Sequence, residues 1–200
     1  DLGELSAAER DAALARLREQ RLEPVALSAA ELELYYDGYC NAVIWPLFHY
    51  LPAQLPLEIR SFGEYRRVNE RFAEAVVEHY RDGDLIWIHD YQLMLVPELV
   101  RKRLPCARIG FFLHIPWPSR RLVATLPRHR QLVEAMLHYD LVGFQTVDSK
   151  TAFGEYVSIE AGGETRPDGT VSAFGLTSRT GAFPIGLDAT EFSAVAMSEA

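Results

Sequence analysis

Hydrophobic residues in this chain fall into short blocks and helical stripes. Leu85-Ile86-Trp87-Ile88 follows Asp84 and closes on a polar pair, His89-Asp90. Ile109-Gly110-Phe111-Phe112-Leu113 follows Arg108 and closes on His114. Blocks of this length predict strands buried on both faces. Between them Leu93, Val96, Leu99 and Val100 recur at helical spacing, and Pro105 stops that helix after Arg103. Strand, crossover helix and strand make a parallel βαβ unit, almost always right-handed. A third block, Asp140 to Phe144, predicts another such strand and ends at Gln145-Thr146. Val171 to Leu176 and Thr180 to Ile185 predict two more, and Pro184 to Asp188 leads into a last helix from Ala189.

Helical stripes fill the intervals. Asp1 to Gln20 reads as an amphipathic helix with Leu14 and Leu17 on one face. Phe62 to about Tyr80 is apolar at Tyr65, Val68, Phe72, Ala75 and Val76, and turns into the first strand at Asp82-Gly83. Ser119 opens a short helix to about Leu126, Pro127 begins another with Leu132, Val133, Met136 and Leu137, and Asp148 caps one to about Ser158. Ser6 with Glu9 and Ser28 with Glu31 have the capping-box spacing, and Ser61 with Glu64 repeats it. Glu23 to Leu27 predicts a short strand, and residues 51–60 and 159–170 predict loops. Together these elements predict an α/β protein with a Rossmann-like, doubly wound parallel sheet.

Length and charge narrow the function. Two hundred residues suit one domain. The chain opens on Asp1 and ends inside a helical pattern, so it is expected to be a piece of a longer protein. A net charge of −8, from 28 acidic and 20 basic residues, argues against a general nucleic-acid or anionic-membrane binder. Gly38 to Leu57 carries no charge for 20 residues, but Pro46, Pro52, Pro56, Asn41, His49 and Gln54 make it a buried, partly irregular segment rather than a membrane span. Two distant cysteines, Cys40 and Cys106, form no disulfide framework and no zinc pattern, which points to a reducing cytosol.

In open parallel sheets ligands bind beyond the carboxyl ends of the strands. Asp90 and His114 fall there. No Gly-x-Gly-x-x-Gly, Walker-type Gly-x-x-x-x-Gly-Lys or Gly-x-Ser-x-Gly follows a strand, which argues against dinucleotide dehydrogenases, P-loop enzymes and serine hydrolases. His89, Asp90 and His114 have the donor types for a metal, but hydrogen-bonded strand ends account for them more simply. A carboxylate and an imidazole also suit hydroxyl recognition. Tyr35, Tyr36, Tyr39, Trp45, Phe48 and Tyr50 crowd one short span. Such density usually makes core, yet with Asn41 and His49 interleaved it can also wall a sugar pocket. The residues alone lead to a polar, aromatic-lined site that favours a polyol.

Five segments, YYDGYCNAVIWPLFHY, WIHDYQLMLVPELVRKR, IGFFLHIPWPS, DLVGFQT and FPIGLD, resemble in this order the trehalose-6-phosphate synthases, from about Glu31 to Asp188. These are retaining glycosyltransferases with the two-domain GT-B fold. The resemblance implies an N-terminal, acceptor-side Rossmann-like domain, without the family's leading segment and without its C-terminal nucleotide-sugar domain. It implies transfer of glucose from UDP-glucose to glucose 6-phosphate, giving α,α-trehalose 6-phosphate. It implies that Tyr36, Trp45 and Asp90 line the glucose 6-phosphate pocket, that His114 approaches the donor glucose, and that Trp45 and Ile115 help select the acceptor's α-anomer. Asp90 and His114 become the catalytic pair. No metal or other cofactor is expected, nor a nucleic-acid or membrane partner. A cytoplasmic location and a homo-oligomeric full-length protein fit the family. Gln92 stands where many members have His, and Trp117 where many have Phe. The 200 residues alone are expected to be inactive. A relative using another acceptor, such as glycerol 3-phosphate, and a non-catalytic regulatory synthase-like subunit are the competing readings.

Overall fold

The computed structural model describes residues 6–186 and 188–198. Helix α1 (Ala7–Glu19) starts as the capping-box spacing predicts: Ser6 Oγ accepts from Glu9 N, and the Glu9 carboxylate accepts from Ser6 N. Its amphipathic character is weak. Leu14 and Leu17 are only half-buried, and no side chain of the helix is fully buried. Glu23 to Leu27 is irregular rather than a strand. Pro24 has no N–H to give a ladder.

Ser28 and Glu31 form the second capping box and open a long composite helix, α2. It begins as an α-turn (Ala29–Leu32), continues as π-helix (Glu33–Ile44) and closes as α-helix (Trp45–Phe48). Tyr35, Tyr39, Cys40, Val43 and Ile44 on its inner side are buried. Helix α3 (Phe62–His79) lays Phe62, Tyr65, Val68, Asn69 and Ala73 into the core, with Phe72 and Val76 packed beside them. Ser61 precedes it but makes no side-chain capping bond: its backbone is not extended, its carbonyl takes Glu64 N, and Glu64 pairs with Arg67.

The sheet contains β1 (Leu85–His89), β2 (Arg108–Leu113), β3 (Leu141–Phe144), β4 (Glu164–Thr165), β5 (Thr170–Ala173) and β6 (Leu176–Ala182). Its order is β1-β2-β3-β6-β5-β4. The first four strands are parallel, and β5 and β4 run antiparallel to their neighbours. The last two predicted strands are therefore a hairpin, shifted toward the N-terminus. Phe174 and Gly175 form its two-residue turn, both at positive φ (55° and 75°), as type I′ turns require. Phe183 and Ile185, which stretched the predicted strand, lie beyond it. The remaining helices are α4 (Val96–Arg103), α5 (Arg120–Val123), α6 (His129–Met136), α7 (Val147–Glu155, extended by a π-turn over Tyr156–Glu160) and α8 (Ala189–Met197). Helix α7 is capped by Thr146, which accepts from Ser149 N, and not by Asp148.

The predicted two-sided burial of β1 does not hold. Ile86 and Ile88 are buried, while Leu85 and Trp87 on the other side are 65% and 63% exposed. Strand order explains this. From β1 to β2 to β3 to β6 the parallel strands are added in one direction, and right-handed crossovers taken in one direction put every connecting helix on the same face. The opposite face is bare among the described residues. It carries an apolar concavity of about 790 Å³ floored by Leu85, Trp87, Phe112, Leu141 and Phe183.

One packing detail has a pH signature. Tyr156, whose phenol burial pushes up to about 12, lies 2.5 Å from His129 Nδ1. A protonated phenol donates there only to a neutral imidazole. Desolvation, with Arg130 nearby, accordingly lowers the His129 pKa below its usual 6.5. The unfolded chain therefore binds a proton that the folded one resists. Stability should be full above about pH 6.5 and fall as the pH drops below it. Denaturant midpoints at about pH 7.5 and 5.5 check this, with a smaller drop expected in His129→Gln.

Candidate functional site

Asp90 is the first residue past β1, and its backbone is held tightly. Its N–H donates to Phe112 O at 2.8 Å, and its carbonyl accepts from Leu93 N at 3.2 Å. Its φ of 70° and ψ of 171° lie in a region essentially reserved for glycine. The strain aims the side chain across to β2, where Asp90 Oδ1 accepts from His114 N at 3.1 Å. The two strand ends thus meet through the carboxylate, as the βαβ reading predicts.

Buried side chains hold the loop after Asp90 by its backbone. Tyr65 Oη donates to Tyr91 O (2.7 Å) and accepts from Met94 N (3.1 Å). Asn69 Nδ2 donates to Gln92 O (3.0 Å) and Asn69 Oδ1 accepts from Leu95 N (3.1 Å). Tyr35 and Tyr139 donate to Gln92 O and Leu93 O. Burial pushes the pKa values of Tyr35, Tyr65 and Tyr139 upward, which keeps these phenols as donors. Tyr65, Asn69 and Tyr139 were not singled out from the sequence as serving the site. The available signal was Asn69, a polar residue four after Tyr65 on an otherwise apolar helix stripe.

Tyr36 and Trp45 both lie on α2, and its π-winding decides how they are arranged. Nine residues at 3.6 per turn would put them on opposite faces of an α-helix. At roughly 4.4 residues per turn, nine residues make two π-turns, and the two share a face. Both are partly open, 42% and 39% exposed. The Trp45 ring lies on His49 with centroids 4.1 Å apart, and Trp45 O is 2.7 Å from His49 Nδ1. Tyr91 ties α2 to the strand end: its Oη donates to Asn41 Oδ1 at 2.9 Å. Burial, with Cys40, Asp90 and Tyr36 nearby, pushes its phenol up to about 12. Cys40 is buried and its thiol is pushed upward by burial and by Asp90, so it stays protonated and unreactive.

His114 is exposed at the end of β2, and Ile115 is half-buried against the core. A second hollow, of about 340 Å³, opens beside His114 between Tyr50, Pro116, Gln145 and Asp148. Tyr50 Oη closes its rim by accepting from Ser119 N at 2.9 Å. The structure therefore joins Asp90 directly to His114, places Tyr36 near Tyr91, and sets Trp45 further along the same helix face. His89 and His114 face each other, Nδ1 to Nε2 at 3.0 Å. Among the described residues no cluster of three or more His, Cys, Asp or Glu forms a metal site, and no helix is long and apolar enough to cross a membrane.

Known proteins resemble this chain along most of its length. The model of glycosyltransferase family 20 matches residues 5–200. The chain belongs to glycosyltransferase family 20. This family 20 chain is 40% identical over 185 residues to alpha,alpha-trehalose-phosphate synthase [UDP-forming] 1 of Arabidopsis thaliana, a match covering 88% of the chain and 19% of the relative. It is 42% identical over 179 residues to the bifunctional trehalose-6-phosphate synthase/phosphatase of Thermoproteus tenax, covering 88% and 24%. Among solved structures it matches the Burkholderia xenovorans alpha,alpha-trehalose-phosphate synthase (UDP-forming) in complex with glucose-6-phosphate, with a TM-score of 0.77 and 42% identity over 81% of this chain and 36% of that one. An E. coli structure bound with UDP-2-fluoro glucose matches with a TM-score of 0.80 and 38% identity, over 86% and 38%. The family 20 chain thus spans well under half the length of each of these relatives, and its Rossmann-like sheet is the fold it has in common with them.

Proposed function

We propose that this chain is the acceptor-side domain of a retaining glucosyltransferase that joins glucose from UDP-glucose to glucose 6-phosphate, giving α,α-trehalose 6-phosphate. The observation that carries the reading is the joined Asp90–His114 pair at the ligand edge of the sheet, with Tyr36 and Trp45 on one face of α2. The Burkholderia relative in complex with glucose-6-phosphate supports a sugar phosphate as the acceptor.

In this reading Asp90 accepts hydrogen bonds from acceptor hydroxyls through Oδ2, which no donor occupies among the described residues, while Oδ1 stays on His114 N. Tyr36 and Trp45 offer ring faces and polar tips to the acceptor sugar. His114 faces the donor glucose, and Ile115 with Trp45 sets which anomer fits. The bond from the donor's anomeric carbon to the diphosphate breaks, and a new bond to the acceptor's anomeric oxygen forms on the same side. The proton of that hydroxyl goes to the leaving diphosphate oxygen. No protein nucleophile and no metal enters any step. Catalysis rests on positioning and on charge stabilisation of the diphosphate, the latter supplied by a second, nucleotide-sugar-binding domain. The 200 residues alone therefore release no UDP.

The test expresses the complete protein that carries this domain and follows UDP release from UDP-glucose. Release is expected with glucose 6-phosphate and not with glycerol 3-phosphate. Release with glycerol 3-phosphate only would assign a different acceptor. Binding of glucose 6-phosphate without release would mark a regulatory subunit.

A further inference from the structure

The two strand-end histidines are the least expected part of the site. His89 closes β1 and His114 follows β2. In the β1–β2 register His89 lies beside Phe112, and its ring reaches two residues along, on the same face, to His114. The rings are 25° from parallel with centroids 5.3 Å apart, and His89 Nδ1 is 3.0 Å from His114 Nε2. Trp87, two residues back on the same face, backs the His89 ring at 4.5 Å, and Phe112 meets the His114 ring edge-on at 4.8 Å. A hydrogen bond between two imidazoles needs an N–H on one and a lone pair on the other. Nε2 of His114 is therefore spoken for. Its backbone N–H is spoken for as well, by Asp90.

We infer that His89 is a positioning residue for the transfer reaction: by engaging His114 Nε2 it fixes the imidazole's rotation and leaves Nδ1 as the ring nitrogen that meets the donor sugar. The inference rests on the reading of this site as a glucosyltransferase. His89 itself touches no substrate. It acts as the partner of a metal-bound histidine does, setting which nitrogen is presented and at what angle. The aromatic rings of Trp87 and Phe112 keep the pair from turning apart.

The two side-chain amides distinguish this from simple packing. An asparagine at position 89 carries its amide where Nδ1 sits, and a glutamine carries it where Nε2 would be. His89→Asn should keep most of the activity, whereas His89→Gln and His89→Leu should each lower kcat/KM about tenfold, in kcat more than in KM, as loss of one oriented hydrogen bond predicts. The decisive experiment is a double-mutant cycle in the complete protein, with UDP release from UDP-glucose and glucose 6-phosphate as readout. In a His114→Ala background, His89→Leu is expected to change kcat/KM by less than about twofold, because the group it orients is gone. An unchanged tenfold loss in that background would overturn the inference, as would equal activities of the Asn and Leu variants. Wild-type protein that releases no UDP would instead overturn the transferase reading itself. Unfolding midpoints of all variants should agree with wild type, since His89 is exposed.

Discussion

Replacing Asp90 with glycine should abolish sugar transfer and still leave the domain more stable than replacement with alanine. Both variants remove the carboxylate, and kcat/KM should fall by roughly 10³-fold, the scale for losing charge-assisted hydrogen bonds to a reacting sugar. They differ only in the Cβ. At φ 70° and ψ 171° a side chain at position 90 is strained, at a cost of about 1–3 kcal/mol. Glycine removes that strain but gives the unfolded chain more freedom, which returns about 0.5–1 kcal/mol. The glycine variant should therefore unfold about 1 kcal/mol later than the alanine variant. Asp90→Asn keeps an acceptor for His114 N but loses the charge, so its activity should lie between wild type and alanine. Steady-state kinetics on the complete protein and denaturant midpoints check both halves. Equal stability of the glycine and alanine variants would show that the strand end relaxes once the carboxylate leaves.

The second large effect is at Asn69, a buried residue of α3 behind the loop that follows Asp90. Its side chain is fully buried and makes three hydrogen bonds, to Tyr65 O, Gln92 O and Leu95 N. Asn69→Ala leaves a buried N–H at Leu95 with no acceptor, removes one of two donors from Gln92 O and opens space beside Tyr65. At about 1–3 kcal/mol for each orphaned group, the loss should be about 3 kcal/mol. Asn69→Leu fills the space and should not restore stability, because the cost is polar and not volumetric. Well below its melting temperature the alanine variant should also lose about tenfold in kcat, since the loop it clamps carries Asp90. Chemical denaturation gives the first number and initial rates the second. A stable Asn69→Leu would mean that packing, not hydrogen bonding, holds the loop.

Much of this was legible from residue order. The three buried blocks became β1, β2 and β3 in parallel, and Asp90 and His114 do sit together at their carboxyl ends. Both serine-glutamate capping boxes formed because their partners are three residues apart and each serine backbone is extended, even though Glu31 also pairs with Arg71. The same spacing failed at Ser61, whose backbone is not extended (ψ 4° against 160° at Ser6 and Ser28) and whose carbonyl, not its hydroxyl, takes Glu64 N. The alternation in Leu85 to His89 was hidden because Leu85 and Trp87, though exposed here, are as apolar as the buried Ile86 and Ile88. The π-winding of α2 left no mark at the α-helical period, so Tyr36 and Trp45 could be linked only through the family resemblance and not by counting turns. The buried phenols were invisible as a group, because Tyr35, Tyr65 and Tyr139 converge from three distant parts of the chain onto three successive peptide groups.

The one-way order of the parallel strands bears on how the domain folds. Leu85 pairs with Arg108 and Gly110 with Leu141, so each new strand joins the edge left by the one just made. Each closure spans only roughly two to three dozen residues, so little chain entropy is lost at any step. The sheet can thus be laid down in the order in which a ribosome delivers it, with β3 as the growing edge. The exception is β6, which pairs on one side with β5 through the Phe174-Gly175 turn and on the other with β3, so a local hairpin carries the edge that docks on β3. That docking joins the most distant strand partners in the sheet, Leu141 and Arg179.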